Sequence, residues 1–283
     1  MSCRAAAVGV AVVTGAGRGI GREIAERLAR LGWDLGLTSR TPAELSSTAG
    51  LAREAGRAVV AMEGDVSVPQ HVDALCANVE DRLGPVDVLV NNAGVSGEYT
   101  TTCASDLEQW WRVLEINVRS PFLLCHRLVP GMVSRGRGYV VNVNSLDCTR
   151  SARVGSPAYS VSKTALRRFT EILALELEGT GVTAVDLSPG LVRTAMGASR
   201  PDADKIAPEA WMHASVAADK VEQLLSGGYA LLSGRFLHAK DDFDHVMGVV
   251  ARSEYARLLR LVPAGDDDPL LSYGAITSHH EDK

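Results

Sequence analysis

The chain has 283 residues, 46% of them hydrophobic and 22% charged, with a formal net charge of −5. This is ordinary globular composition with enough apolar material for a large core, and the mild acidic balance excludes a basic nucleic-acid-binding face. The longest apolar run, residues 5–13, is too short to span a bilayer and leads straight into a Gly-rich segment, so neither a membrane span nor a signal peptide is expected. Cys3, Cys76, Cys103, Cys125 and Cys148 are scattered with no CxxC pair, which points to reduced thiols in a cytoplasmic protein and to no metal site.

In chain order, β-rich apolar runs at 8–13, 34–38, 58–63, 86–91, 139–144 and 182–187 are expected as strands. They are dense in Val, Leu and Ala rather than alternating, as strands covered on both faces are. Between them, residues 22–31, 42–55, 70–83, 106–133 and 156–178 carry apolar side chains at helical spacing. Gly32 sits where a helix C′ glycine belongs, Pro42 opens the second helix, and Gly84-Pro85 ends the third. Such alternation demands a parallel sheet with right-handed crossovers. The fold class is therefore α/β, doubly wound, with about seven strands. The pattern loosens after Pro189, then yields a helix near 211–225, a short strand at 235–238 and a helix near 243–261. One domain is expected over residues 1–262, with an unstructured substrate flap at 197–211. Residues 263–283 read as a tail in which His279 and His280 are solvated. Trp110, Trp111 and Trp211 could line a pocket or an interface, with core packing the better expectation for at least two.

The first strand runs into Thr14-Gly15-Ala16-Gly17-Arg18-Gly19-Ile20-Gly21. Glycines between a strand and a helix allow a tight turn and let backbone N–H groups and the helix N-terminus approach a pyrophosphate. The spacing is not GxGxxG, and a Gly-rich turn alone also serves wherever the backbone needs positive φ. Ser39 stands at the end of the second strand, where an NAD site wants a carboxylate for the ribose 2′-OH, and Arg40 follows. Arg40, with Arg18, suits a 2′-phosphate, so NADP(H) is favoured over NAD(H). A solvated arginine at a strand end is the plainer alternative.

Tyr159 and Lys163 lie four residues apart at the start of a helix, hence on one face. An ammonium beside a phenol favours phenolate and is expected to bring the tyrosine down from about 10. Such a pair can exchange a proton with the oxygen of a carbonyl or alcohol. On its own, YxxxK is a frequent surface accident. Here it accompanies Asn91-Asn92-Ala93-Gly94, Ser145 and Ser188-Pro189-Gly190, all at C-terminal strand ends, where open α/β sheets bind ligands. Pro121 cannot donate to the Asn117 carbonyl, which leaves that carbonyl for another donor such as water.

This motif set resembles the short-chain dehydrogenase/reductase family over about residues 8–197. The resemblance implies an NAD(P)-dependent oxidoreductase moving a hydride between nicotinamide and a carbonyl or secondary alcohol of a small molecule. It gives catalytic roles to Asn117, Ser145, Tyr159 and Lys163. Ser145 would hold the substrate oxygen, Tyr159 act as acid or base, Lys163 hold the nicotinamide ribose, and Asn117 help hold a water. Cofactor contacts are implied for Gly15, Arg18, Gly19, Ile20, Gly21, Ser39, Arg40, Ala93, Gly94, Pro189 and Gly190. Asp65 and Val66 would flank adenine, Asn91 lie against the cofactor, and Val192 and Thr194 meet the carboxamide. A homodimer or homotetramer built through the helices near 106–133 and 156–178 is implied too, with no nucleic-acid or membrane partner. A silent NADP(H)-binding regulator or scaffold is the alternative function. Two departures stand out. Ser145 and Tyr159 are fourteen apart, one more than expected, and Asp147 stands at the pocket wall, either for a cationic or hydroxyl-rich substrate or for its own loop.

Overall fold

The computed structural model describes residues 8–149, 154–253 and 255–259. The proposed tail at 263–283, with His279 and His280, lies outside them.

Seven parallel strands form one sheet in the order β3-β2-β1-β4-β5-β6-β7. They are β1 (Val10–Thr14), β2 (Asp34–Ser39), β3 (Val59–Glu63), β4 (Val86–Asn91), β5 (Gly138–Val143), β6 (Val182–Ser188) and β7 (Phe236–His238). The chain winds outward from β1 to β3, returns to the other side of β1, and winds outward again to β7. Between β1 and β4 the winding reverses, which opens a crevice at the C-terminal strand ends.

Helices cover both faces because the central strands are apolar on both. Ile24 and Leu28 of α1 (Gly19–Arg30), Leu45 of α2 (Pro42–Glu54), Leu224 of α8 (Ser215–Leu225) and Val246 of α9 (Phe243–Arg252) pack one face with Val13, Leu35 and Leu187. Leu75 of α3 (Pro69–Leu83), Leu128 of α5 (Ser120–Arg135) and Leu173 of α6 (Pro157–Glu176) pack the other with Val12, Leu89 and Val140. Each fully buried leucine contributes about 1.5–3 kcal/mol of hydrophobic stabilisation.

Four expectations need correction. The helix expected at 106–133 is two, α4 (Leu107–Leu114) and α5, joined by a wide turn over Glu115–Arg119 in which the Ser120 N–H donates to the Glu115 carbonyl. Pro121 has no N–H for a regular turn, so the ladder shifts to i→i+5 spacing there. The stretch expected to be unstructured holds helical turns at Ala195–Ala198 (α7), Ala203–Lys205 and Pro208–Ala210, and α8 starts at Ser215 rather than 211. The last helix stops at Arg252, where Ser253 takes an extended backbone. None of the three tryptophans is core. Trp111 is exposed, while Trp110 sits edge-to-face against it and Trp211 lies beneath the Arg193 guanidinium, both partly buried.

Candidate active site

A cleft of about 340 Å³ runs along the C-terminal ends of β1, β2, β4, β5 and β6. One end is made by the loop between β1 and α1. Gly15 and Gly19 hold φ of +63° and +55°, conformations an L side chain resists. A Cβ on Gly21 would stand 2.4 Å from both the Gly15 carbonyl and the Asn92 side-chain nitrogen, so this glycine packs the loop onto the helix and does not line the cleft. No side chain caps the first turn of α1, whose N–H groups remain to receive an anion. Gly15, Arg18, Gly19 and Ile20 all border the cleft. A dinucleotide pyrophosphate fits this cradle on backbone conformation, open N–H groups and helix polarity alike.

Asn92, rather than its neighbour Asn91, fastens the loop. Its main-chain N–H and that of Ala93 both donate to the Thr14 hydroxyl at 3.0 Å. Its side chain donates to the Thr14 and Gly15 carbonyls at 2.9 and 3.2 Å. Asn91 points away from the cleft into the sheet, donating to Asn142 at 2.8 Å. The alternation of side chains along β4 decides this: adjacent asparagines must face opposite ways.

At the same end Ser39, Arg40 and Thr41 line the cleft beside Arg18 and Glu44, which pair at 3.4 Å. Asp65 and Val66 line it as well. The Asp65 carboxylate, however, is engaged by Arg112 and accepts from both the N–H and the hydroxyl of Ser67 at 2.9 and 2.7 Å. Against the upward push of burial, those partners hold it below the ordinary aspartate value. Its side chain therefore anchors the β3–α3 loop to α4.

At the other end stand Ser145, Tyr159 and Lys163, with Pro189, Gly190 and Val192 along the β6 side and Gly94 opposite; Thr194 reaches back to the glycine loop, 3.0 Å from where a Gly19 Cβ would stand. The Ser145 hydroxyl shares the cleft wall with the Tyr159 phenol and accepts from the Asp147 N–H at 3.2 Å. Asn144 orients Ser145 by accepting its main-chain N–H at 2.8 Å. Lys163, buried, donates to the Val143 carbonyl at 2.8 Å, with Nζ 5.9 Å from the centre of the Tyr159 ring. Thr194 caps α7 by accepting the Gly197 N–H. Asp147, Tyr99, Met196 and Arg200 complete the wall.

The electrostatics differ from the sequence expectation. Partial burial pushes the Tyr159 phenol up to about 12, the neighbouring Ser145 hydroxyl pulling the other way and Asp147 adding to the rise. Burial brings Lys163 down to about 8 although Asp186 and Cys148 favour its charge. Spacing told that the phenol and the amine share a helix face but not how dry that face is, and desolvation sets the direction. At neutral pH the phenol keeps its proton.

Asn117 does not border the cleft. Its side chain accepts the Val95 N–H and donates to the Val95 carbonyl and the Ser162 hydroxyl, each at 2.9 Å. Ser162 in turn donates to the Tyr159 carbonyl at 2.7 Å. Asn117 thus braces the loop after β4 against the tyrosine helix.

Among the described residues no cluster of His, Cys, Asp or Glu could hold a metal, and no helix is long and apolar enough to cross a membrane.

Comparison with known proteins agrees with this architecture. The short chain dehydrogenase family matches residues 9–205. A short chain dehydrogenase of Pseudocercospora fijiensis is 37% identical over 190 residues, covering 66% of this chain and 61% of that protein's length. A Streptomyces coelicolor protein provisionally named a ketoacyl reductase is 41% identical over 192 residues, 67% of this chain and 73% of its own. The crystal structure of a variant actinorhodin polyketide ketoreductase with NADPH superposes with a TM-score of 0.76 at 33% identity, covering 84% of this chain and 97% of that one. With the doubly wound sheet, the glycine cradle and the Ser–Tyr–Lys end of the cleft, the chain belongs to the short-chain dehydrogenase/reductase family of NAD(P)-using oxidoreductases.

Proposed function

We propose that this enzyme is an NADP(H)-dependent reductase of a carbonyl on a small molecule, or the same chemistry run backwards on a secondary alcohol. The observation that carries the reading is the convergence of Ser145, a Tyr159 phenol that burial keeps protonated and the buried Lys163 on one end of the cleft. Bound NADPH supplies the hydride. Ser145 holds the carbonyl oxygen, and Tyr159 gives its phenolic proton to that oxygen as negative charge develops on it. Lys163 holds the nicotinamide ribose through its ammonium. Asn117 keeps the tyrosine helix in place. The part of it suited to a relay water is its carbonyl, to which Pro121 cannot donate.

The 2′-phosphate preference rests on chemistry at the end of β2, where Ser39 offers a hydroxyl in place of a carboxylate and Arg40 and Arg18 border the same space. The NADPH held by the ketoreductase neighbour supports it. Ser39→Asp is expected to swing the NADPH-to-NADH ratio of kcat/KM by more than about ten-fold, roughly 1.4 kcal/mol, toward NADH. An unchanged ratio removes Ser39 from the 2′ subsite.

Residues 197–211 form the substrate flap in this reading, with Gly197 and Arg200 on the cleft and the Met212 N–H bonded back to the Leu191 carbonyl at 2.7 Å. The protein works in the cytoplasm as a homo-oligomer. The test is consumption of NADPH, followed by absorbance, against a panel of ketones, quinones and polyketide-like diketones. Turnover of at least one is expected. Tight NADPH binding with no turnover across the panel would favour a silent cofactor-binding regulator.

A further inference from the structure

Behind the Ser–Tyr–Lys end of the cleft lies a polar ladder that the proposed chemistry does not use. Asn91, Asn142 and Asp186 stand in register on β4, β5 and β6, and all three are buried. Asn91 donates to Asn142, and Asn142 donates to Thr170 at 2.9 Å. Thr170 donates to the Asp186 carboxylate at 2.9 Å, and Arg167, also fully buried, pairs with it at 3.0 Å. The same guanidinium donates to the Gly234 and Arg257 carbonyls at 2.7 and 2.8 Å and meets Glu171 at 2.8 Å. A carboxylate placed at zero exposure and fixed from two sides is an expensive feature for a core otherwise built of Val and Leu.

What that carboxylate faces gives it a use. Lys163 projects from the same helix as Arg167, one turn earlier, and its ammonium is bonded to Val143, adjacent to Asn142 on β5. Asp186 stands beside Asn142 in the sheet, and its partner Arg167 follows Lys163 by one turn of α6, which brings the carboxylate within electrostatic reach of Lys163 and of Cys148, on the turn after β5. Cys148 carries no charge near neutrality, because burial pushes its thiol up to about 12. Tyr159 is neutral in the same range. The negative charge nearest Lys163 is then that of Asp186.

We propose that Asp186, fixed by Arg167, is a positioning residue that keeps Lys163 in its ammonium form and thereby sets the alkaline limit of dinucleotide binding. The proposal rests on the assignment of Lys163 to the nicotinamide ribose. Removing the nearest negative charge from a buried ammonium lowers its pKa, so the limit moves to lower pH. Asp186→Asn leaves the Arg167 cation in place and shifts the limit furthest. Replacing both partners with apolar groups, Arg167→Met with Asp186→Leu, removes attraction and repulsion together and shifts it less. The double variant is also expected to fold, since exchanging a whole buried ion pair for well-packed apolar side chains is commonly neutral or stabilising.

The test is an NADPH fluorescence titration from pH 6 to 9.5, which needs no turnover. Binding by the parental protein is expected to weaken as pH rises through about 8. The weakening should move down by about 1–2 pH units in Asp186→Asn and by a smaller amount in the double variant. A double variant that melts like the parent and keeps the parental limit overturns the proposal, as does a parental break below pH 7. Tyr159→Phe separates the two readings. If it turns over at the parental rate the carbonyl-reductase assignment fails, while the titration still reports on Asp186 and Lys163.

Discussion

Tyr159→Phe is expected to lose about 10²- to 10⁴-fold in kcat for carbonyl reduction, equivalent to roughly 3–5 kcal/mol of barrier. The change removes one oxygen and leaves the ring, so packing around α6 should persist and the melting temperature should stay within about 2 °C. Binding of NADPH should hold within a few fold, because Lys163 keeps its bond to Val143. The pH dependence adds a second check. A phenol pushed up to about 12 is protonated throughout the working range, so Tyr159 contributes no limb to the reductive profile. As pH rises through about 8, Lys163 loses its proton and the rate falls. Activity in the reductive direction is therefore flat from pH 6 to about 7.5 and declines above it. Stopped-flow and steady-state rates across that range would check both points. A variant with parental kcat removes the phenol from the chemistry.

Most strands of this fold were legible as short runs rich in Val, Leu and Ala, and all seven appear within about two residues of their expected positions. The glycine cradle was legible for a related reason: Gly15 and Gly19 occupy backbone conformations that other residues resist. What depended on three-dimensional surroundings was not. Asn91 and Asn92 are indistinguishable as letters, and the pleat alone decides which one fastens the glycine loop. Asp65 reads as a free acceptor until Arg112, forty-seven residues away, is seen to hold it. The direction of the Tyr159 shift needed burial, which no spacing encodes. Arg167 and Asp186 look like a surface arginine on an amphipathic helix and an odd carboxylate in an apolar strand; only the packing of α6 on β6 joins them.

That pair carries the second large expected effect. Arg167→Met exchanges the guanidinium for an apolar side chain of similar length and leaves the Asp186 carboxylate at zero exposure without its cation. Breaking one side of a buried pair costs about 3–5 kcal/mol, which in a protein of this size lowers the melting temperature by roughly 10 °C. The carbonyls of Gly234 and Arg257 lose their donor as well, loosening the segment that the Arg257 carbonyl ties to the Phe236 N–H. The deficit must depend on pH. Burial already pushes Asp186 up to about 6, with Arg167 opposing the rise, so loss of Arg167 raises it further. An acid whose folded value exceeds its unfolded one binds more protons when folded, so its contribution to stability is largest at low pH and is lost as pH rises. The variant should accordingly lie closest to the parent near pH 5, where Asp186 is neutral, and furthest from it near pH 8. Calorimetry at both values distinguishes this from loss of packing, which would lower the melting temperature equally at each. Adding Asp186→Leu to Arg167→Met should recover most of the deficit at pH 8 and little at pH 5, because at low pH there is little charge left to remove.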